Sequence, residues 1–180
     1  GDIGLDRLDR TPGIEWKFLD EDTSPVHGNQ LCDYDALLLL GSQIDAASVT
    51  ENRRLSLIAR FGVGYDNVDV EACTHSGIIV TITPNGVRRP VAVAALTYLL
   101  ALSQKMLIKD SLVREGRWHE RMDHMGSGLG DRTVGLIGLG NIGLELSGLL
   151  QPFGVRLLAS DPHSSAYHAQ QASAELVDMG

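Results

Sequence analysis

The sequence predicts an α/β protein of two domains, each with a parallel sheet between helices. Apolar strand-like runs alternate with helix-like segments over the first 84 residues, which is typical of a parallel sheet covered by helices. A strong break follows at Thr83-Pro84-Asn85-Gly86. From Thr133 onward, a short apolar strand runs into a glycine-rich turn that opens a helix, the pattern of a nucleotide-binding βαβ unit.

In the first domain, residues 1–84, four runs have the apolar content of strands. They are Glu15–Leu19, Ala36–Leu40, Leu57–Phe61 and Ile78–Ile82. The middle runs are apolar enough to be buried on both faces, as parallel strands are. Helices are predicted at 46–52, after Asp45, and at 70–75, after Asn67 or Asp69 as the N-cap. The strand with which such a layer usually starts is not recognisable, so we expect the domain to lack its first strand.

The second domain, residues 85–180, is predicted to begin with one long connecting helix. Pro90 suits the first turn of a helix, and the helical pattern continues to about Glu115. A polar loop then leads into the strand at Thr133. Only two strands are recognisable before Gly180, whereas a dinucleotide-binding sheet usually has about six. We therefore expect this chain to hold the first half of the domain, in truncated form.

The most informative segment is Thr133–Asp161, which holds strand, turn, helix, strand and acid within about 30 residues. Its glycines have different tasks. Gly138 permits the tight turn, Gly140 lets backbone N–H groups approach a pyrophosphate, and Gly143 lets the helix pack close to the strand. The helix N-terminus adds unpaired N–H donors and a partial positive charge. The segment predicts a dinucleotide site, with an ordinary strand–helix turn as the alternative.

Asp161 ends the second strand of this unit. A carboxylate at that position can accept both hydroxyls of an adenosine ribose, and its charge would repel a 2′-phosphate. The predicted cofactor is therefore NAD rather than NADP.

Composition and charge exclude several classes of partner. The net charge of −8 makes nucleic acid and an anionic membrane surface unsuitable. Cys32 and Cys73 lack the spacing of a metal site or redox pair, and no metal is predicted. The first ten residues do not form a secretory signal, and the apolar run Val91–Leu102 is shorter than the ~20 residues of a membrane span. We expect a cytoplasmic protein.

A second motif, Ala59–Asp69, reads Ala-Arg-Phe-Gly-Val-Gly-Tyr-Asp-Asn-Val-Asp. With Arg114-Glu-Gly-Arg-Trp118 and the glycine motif at Gly138, it makes the chain resemble the D-isomer-specific 2-hydroxyacid dehydrogenases. That family includes hydroxypyruvate and glyoxylate reductases, D-lactate dehydrogenases and D-3-phosphoglycerate dehydrogenases. The resemblance implies a flavodoxin-like substrate domain and a Rossmann domain that flank a cleft. It also implies hydride transfer between NADH and a small 2-oxo or 2-hydroxy acid, and a homodimer in which the long helix takes part.

The segment Gly62-Val63-Gly64 follows a predicted strand and can present backbone N–H groups to an anion. The resemblance implies that the amides of Val63 and Gly64 hold the substrate carboxylate and that Val63 lies near the nicotinamide. On the residues alone, a tight strand-to-helix turn capped by Asp66 or Asn67 is the alternative.

The resemblance also implies that Asn141 and Ile142, between the second and third glycines, touch the pyrophosphate. Many members of the family carry Arg where this chain has Asn141, so a charge-assisted phosphate contact is missing at that position.

Further departures lie on the long helix. Relatives commonly have Glu and Thr where this chain has Val93 and Ala95, which removes polar groups near the nicotinamide. Arg88 and Arg89, just before, either face an anionic substrate tail or form a solvated pair.

The chemistry that the resemblance implies needs a histidine general acid, a glutamate that orients it, and an arginine that clamps the substrate. All three are expected beyond Gly180, so no catalytic residue is assigned. One alternative is a dinucleotide-sensing binding protein like the related transcriptional corepressors. Another is a dehydrogenase of a different small anion, such as formate or phosphite.

Overall fold

A computed structural model describes residues 4–50 and 54–179 of the chain. The chain divides into two compact units, residues 1–83 and 84–180. Each unit contains a three-stranded parallel sheet whose strands are connected through helices, so the predicted α/β class is confirmed.

The first unit is a small parallel layer with a single buried core. Its strands are β1 Ala36–Leu39, β2 Leu57–Arg60 and β3 Ile79–Thr81. Its helices are α1 Asp6–Asp9, α2 Gly28–Leu31, α3 Ala46–Val49 and α4 Val70–His75. The strands pair in the order β1–β2–β3. Apolar side chains from strands, helices and loops form the core, among them Leu39, Ile44, Val49, Ile58 and Cys73.

Aspartate side chains begin helices α3 and α4. Asp45 accepts a hydrogen bond from the Ser48 N–H at 2.9 Å, and Asp69 accepts one from the Ala72 N–H at 2.8 Å. Asp69 is therefore the N-cap of α4, whereas Asn67 uses its side-chain N–H to bond a backbone carbonyl oxygen. The predicted C-terminal end of the first of these helices lies outside the described residues.

The strand predicted at Glu15–Leu19 is wrong. Within the described residues, this segment forms no strand and no backbone hydrogen bond to one. Two of its aromatic side chains make local contacts instead. The rings of Trp16 and Phe18 meet edge to face with centroids 5.5 Å apart, and Trp16 Nε1 donates to the Asp9 carboxylate at 2.8 Å. A strand pattern needs a neighbouring strand to supply the hydrogen-bond ladder, and this segment has none.

The second unit has its own parallel sheet. Its strands are β4 Thr133–Ile137, β5 Arg156–Ser160 and β6 Ala174–Leu176, paired in that order. Its α-helices are α5 Arg88–Ser103, α6 Met106–Arg114, α7 Asn141–Leu150 and α8 Ala166–Ala172, and 3₁₀ helices lie at Trp118–His124 and Gln151–Phe153. The prediction of only two strands is wrong, because β6 follows α8. Its short sequence carries the charged Glu175 and no apolar run, so the pattern gave no signal.

The single long helix predicted from Pro90 to about Glu115 is also wrong, because it is broken. Lys105 has a left-handed φ of 52° between α5 and α6, whose directions differ by 63°. At the break, the Ser127 N–H donates to the Ser103 carbonyl oxygen at 2.8 Å. A loop distant in sequence therefore bonds the carbonyl that a continuing helix would have used.

In the described ranges, no single helix is long and apolar enough to cross a membrane. Helices α5 and α6 meet those criteria of length and composition only when taken together as a bent pair.

The turn between β4 and α7 brings the helix close to the strand. Gly138 has a φ of +94°, a conformation that residues with a side chain rarely adopt. At Gly143, an added Cβ would lie 2.4 Å from the Gly138 carbonyl oxygen. Leu136 and Leu139 are buried on the two sides of this turn in one core cluster. The close approach therefore fixes the first turn of α7 beside the carboxyl end of β4.

Gly143→Ala is expected to lower the free energy of unfolding by about 1–3 kcal/mol, because the new methyl group would overlap a backbone oxygen. Gly148→Ala is a matched control in the same helix, since nothing lies within 4 Å of its Cβ position. The control should raise stability by about 1 kcal/mol through helix propensity. Urea unfolding of the full-length protein, followed by circular dichroism, measures both, and equal effects would contradict the close approach.

Candidate functional site

The N-terminus of α7 presents a group of free backbone donors. The Gly138 N–H is used by the Ser160 carbonyl oxygen at 2.9 Å, but the N–H groups of residues 140–143 have no acceptor among the described residues. Gly140 is exposed, and an added Cβ there would meet nothing within 4 Å. Open space therefore lies in front of unpaired amides at the positive end of a helix dipole, an arrangement that favours an anion.

Asp161 lies directly beside this turn, at the carboxyl end of β5. Its Oδ2 accepts a hydrogen bond from the Leu139 N–H at 2.7 Å, and its Oδ1 accepts one from the His163 N–H at 2.8 Å. These two hydrogen bonds, that from Leu139 first, hold the pKa of Asp161 below its ordinary value. The side chain is partly buried and carries its negative charge at neutral pH. Each oxygen keeps a further lone pair with which it can accept from a hydroxyl group.

Two arginines at the start of α5 reach across to α7. Arg88 Nη2 donates to the Asn141 side-chain oxygen at 2.9 Å, and Arg89 Nη1 lies 2.7 Å from Glu145 Oε1. The expectation of a loop pair is wrong, because both residues belong to the first turn of α5 and bond to α7, although the Arg89 side chain stays 63% exposed. That they face an anionic substrate tail remains a prediction. The partners are 53 and 56 residues apart in the chain, so only the packing of α5 against α7 brings them together.

The other positions singled out on these helices are accessible to different degrees. Val93 and Ile142 are 43% and 38% exposed, and Ala95 is partly buried. The part of α5 around Val93 and Ala95 thus offers apolar surface where the family resemblance implies polar groups. Its effect on a nicotinamide remains a prediction.

The glycine loop of the first unit also presents free amides. Gly62 N–H donates to Thr83 Oγ1 at 2.8 Å, and the Thr83 N–H donates to the Gly62 carbonyl oxygen at 2.8 Å. These two bonds pin the loop, in which Gly62 has a φ of +143°. The N–H groups of Val63 and Gly64 have no acceptor among the described residues, and both residues are exposed. The loop can therefore offer two adjacent donors to a carboxylate.

The alternative explanation was a tight turn capped by Asp66 or Asn67, and the structure does not show those caps. Neither Asp66 nor Asn67 caps α4, because Asp69 does. The Arg60 guanidinium lies against the loop and donates to the Phe61 carbonyl oxygen. A cation is therefore placed against Gly62, the residue that precedes the two free amides, which favours an anion at this loop.

Comparison with known proteins identifies the family of this chain. The family model of the D-isomer specific 2-hydroxyacid dehydrogenase catalytic domain matches residues 4–177. The chain belongs to this family. The resemblance inferred from the two glycine motifs is thus confirmed.

Named relatives differ in substrate. The chain is 35% identical over 148 residues to D-3-phosphoglycerate dehydrogenase of Synechocystis, a match that covers 82% of the chain and 26% of the relative. It is 37% identical over 163 residues to glyoxylate reductase of Thermococcus gammatolerans, covering 86% of the chain and 49% of the relative. The chain therefore spans between a quarter and a half of the length of these 2-hydroxyacid dehydrogenase relatives.

Solved structures show the same fold. The apo structure of Escherichia coli D-lactate dehydrogenase matches with a TM-score of 0.79 and 25% identity, covering 97% of this chain and 56% of that one. Formate dehydrogenase of Granulicella matches with a TM-score of 0.73 and 25% identity, covering 83% and 41%. The two-domain fold of this family, flavodoxin-like and Rossmann, is thereby confirmed.

Proposed function

We propose that the full-length protein is an NAD-dependent oxidoreductase that transfers a hydride between NADH and a small 2-oxo acid, giving the D-2-hydroxy acid. Membership of the 2-hydroxyacid dehydrogenase family supports this reaction class. The observation that carries the cofactor assignment is the row of unpaired amides at α7 beside a charged, fixed carboxylate.

In this proposal the glycine turn holds the pyrophosphate of the cofactor. Gly138 and Gly143 shape the turn, and the N–H groups of Gly140, Asn141 and Ile142 donate to phosphate oxygens. The bound nicotinamide supplies the hydride, and the turn fixes the nucleotide that carries it.

Asp161 accepts hydrogen bonds from the hydroxyl groups of the adenosine ribose. Its charge is stabilised by the Leu139 and His163 amides, so a 2′-phosphate would meet a fixed negative charge. This is the basis for proposing NAD rather than NADP.

The first unit binds the acid substrate. The free amides of Val63 and Gly64 hold its carboxylate, and Arg60 adds positive charge beside them. A cofactor contact of Val63 remains a prediction from the family resemblance.

The reaction is tested with full-length protein and NADH, using a panel of glyoxylate, hydroxypyruvate and other 2-oxo acids. Loss of the 340 nm absorbance of NADH with at least one acid is the expected result. Formate and phosphite are assayed separately with NAD. Turnover of formate or phosphite alone would favour the other dehydrogenase class, and NADH binding without any turnover would favour a sensor.

Asp161→Ser should weaken NADH binding by at least about tenfold, because two charge-assisted hydrogen bonds to the ribose are lost. Discrimination against NADPH should relax at the same time, because the repelling charge is gone. Titration calorimetry with both nucleotides measures this, with Asp123→Ser, an exposed carboxylate in the 3₁₀ helix Trp118–His124, as control. Unchanged discrimination would show that Asp161 does not contact the ribose.

We also propose a homodimer formed through the α5–α6 face. Large apolar side chains are exposed on it: Tyr98, Leu102, Met106, Leu107 and Val113 are each more than half exposed, Leu107 at 75%. Exposed large apolar side chains are common at protein–protein surfaces, and a second copy is the occupant that the family resemblance implies.

Leu102→Glu with Leu107→Glu should convert the dimer to a monomer, because two charges would be buried at the interface. Sedimentation velocity of the full-length protein measures the change. Phe18→Glu, at a 70% exposed site in the first unit, is the control. A wild-type monomer, or a variant that remains dimeric, would contradict the assignment of this face.

A further inference from the structure

The N-terminus of α7 carries an unusual neighbour. Arg88, the first residue of α5, places its guanidinium on Asn141, the first residue of α7, through the 2.9 Å bond from Nη2 to Oδ1. Helix N-termini carry partial positive charge, so a cation held there is unfavourable unless an anion joins it. Local features that oppose the ordinary electrostatic preference are typical of functional sites.

The guanidinium of Arg88 is not neutralised. No carboxylate lies within ion-pair distance of it among the described residues. Its Nε is buried and has no hydrogen-bond acceptor among the residues that the structure describes. Asn141 satisfies only one of its five N–H donors. The group therefore retains charge and donors beside the free amides of residues 140–143.

The neighbouring Arg89 makes a structural contact between the same two helices and serves as a comparison. Arg89 lies in the same turn of α5 and forms an ion pair with Glu145 at 2.7 Å, one turn further along α7. That pair neutralises its charge and joins the two helices. The packing of α5 on α7 thus has its own charged contact, and Arg88 adds a cation that this packing leaves unpaired.

We propose that Arg88 is a phosphate-binding residue of the dinucleotide site, held in place by Asn141. It supplies from α5 the positive charge that the glycine motif lacks, and its free N–H groups donate to a pyrophosphate oxygen. The inference rests on the proposed function, since it assigns a further residue to the same nucleotide site.

The test compares Arg88→Met, Arg88→Lys and Arg89→Met in the full-length protein. Titration calorimetry is done with NADH and with adenosine, which has the ribose and base but no phosphate. Arg88→Met should weaken NADH binding about tenfold and leave adenosine binding unchanged, and Arg88→Lys should restore part of the loss. Arg89→Met should change NADH binding less than Arg88→Met does.

A charge-relocation variant separates phosphate binding from a structural role. Asn141→Arg, added to Arg88→Met, puts the cation back at the same place from α7 and should recover most of the NADH affinity. Without nucleotide, Arg88→Met should melt no lower than the wild type at low salt, because it removes a cation from a helix N-terminus.

Three results would overturn the inference: NADH affinity unchanged in Arg88→Met, an equal loss for adenosine and NADH, or no rescue by Asn141→Arg. If the wild type binds NADH and Arg88→Met binds it equally well, only the role of Arg88 fails. If the wild type binds no NADH at all, the proposed function fails and this inference fails with it.

Discussion

The hydrogen bond from the Leu139 N–H to the Asp161 carboxylate is the contact on which the candidate nucleotide site depends. It joins the glycine turn after β4 to the end of β5, so the shape of the turn and the position of the acid are set together. The amide that it uses precedes the four that stay free, and the carboxylate that it holds stays ionised. Donors for an anion and an acceptor for hydroxyl groups therefore lie side by side. A diphosphate attached to a ribose has the matching order of groups.

The two units contain similar glycine loops that differ in their hydrogen-bond partners. Each has a glycine loop at the carboxyl end of a parallel strand, where ligands of such sheets bind. In each, one amide is tied down and those that follow are free: Gly62 is tied to a hydroxyl group on Thr83, and Leu139 to a carboxylate. The side chain that accepts from the tied amide sets the charge at each loop. The hydroxyl is neutral and Arg60 lies near it, so the first loop suits a small carboxylate, whereas the second combines free amides with a fixed negative charge.

The class of the fold and the shape of the glycine turn in the candidate site were predictable because they depend on local sequence. The strand, turn and helix around Gly138 are neighbours in the chain, and the conformations of its glycines follow from the absence of a side chain. What was missed depends on distant contacts. The break at Lys105 is made with a loop more than 20 residues away, and the contact between Arg88 and Asn141 spans 53. Strand β6 was missed because a short polar strand is specified by its neighbour rather than by its own pattern.

The break between α5 and α6 lets the two helices run in directions that differ by 63°. A continuous helix curves only gently, so it would carry both segments in nearly one direction. The left-handed Lys105 and the Ser103 carbonyl oxygen bonded by the Ser127 N–H interrupt the helical hydrogen-bond pattern. The direction of α6 is therefore set by the loop around Ser127, separately from the packing of α5 on α7.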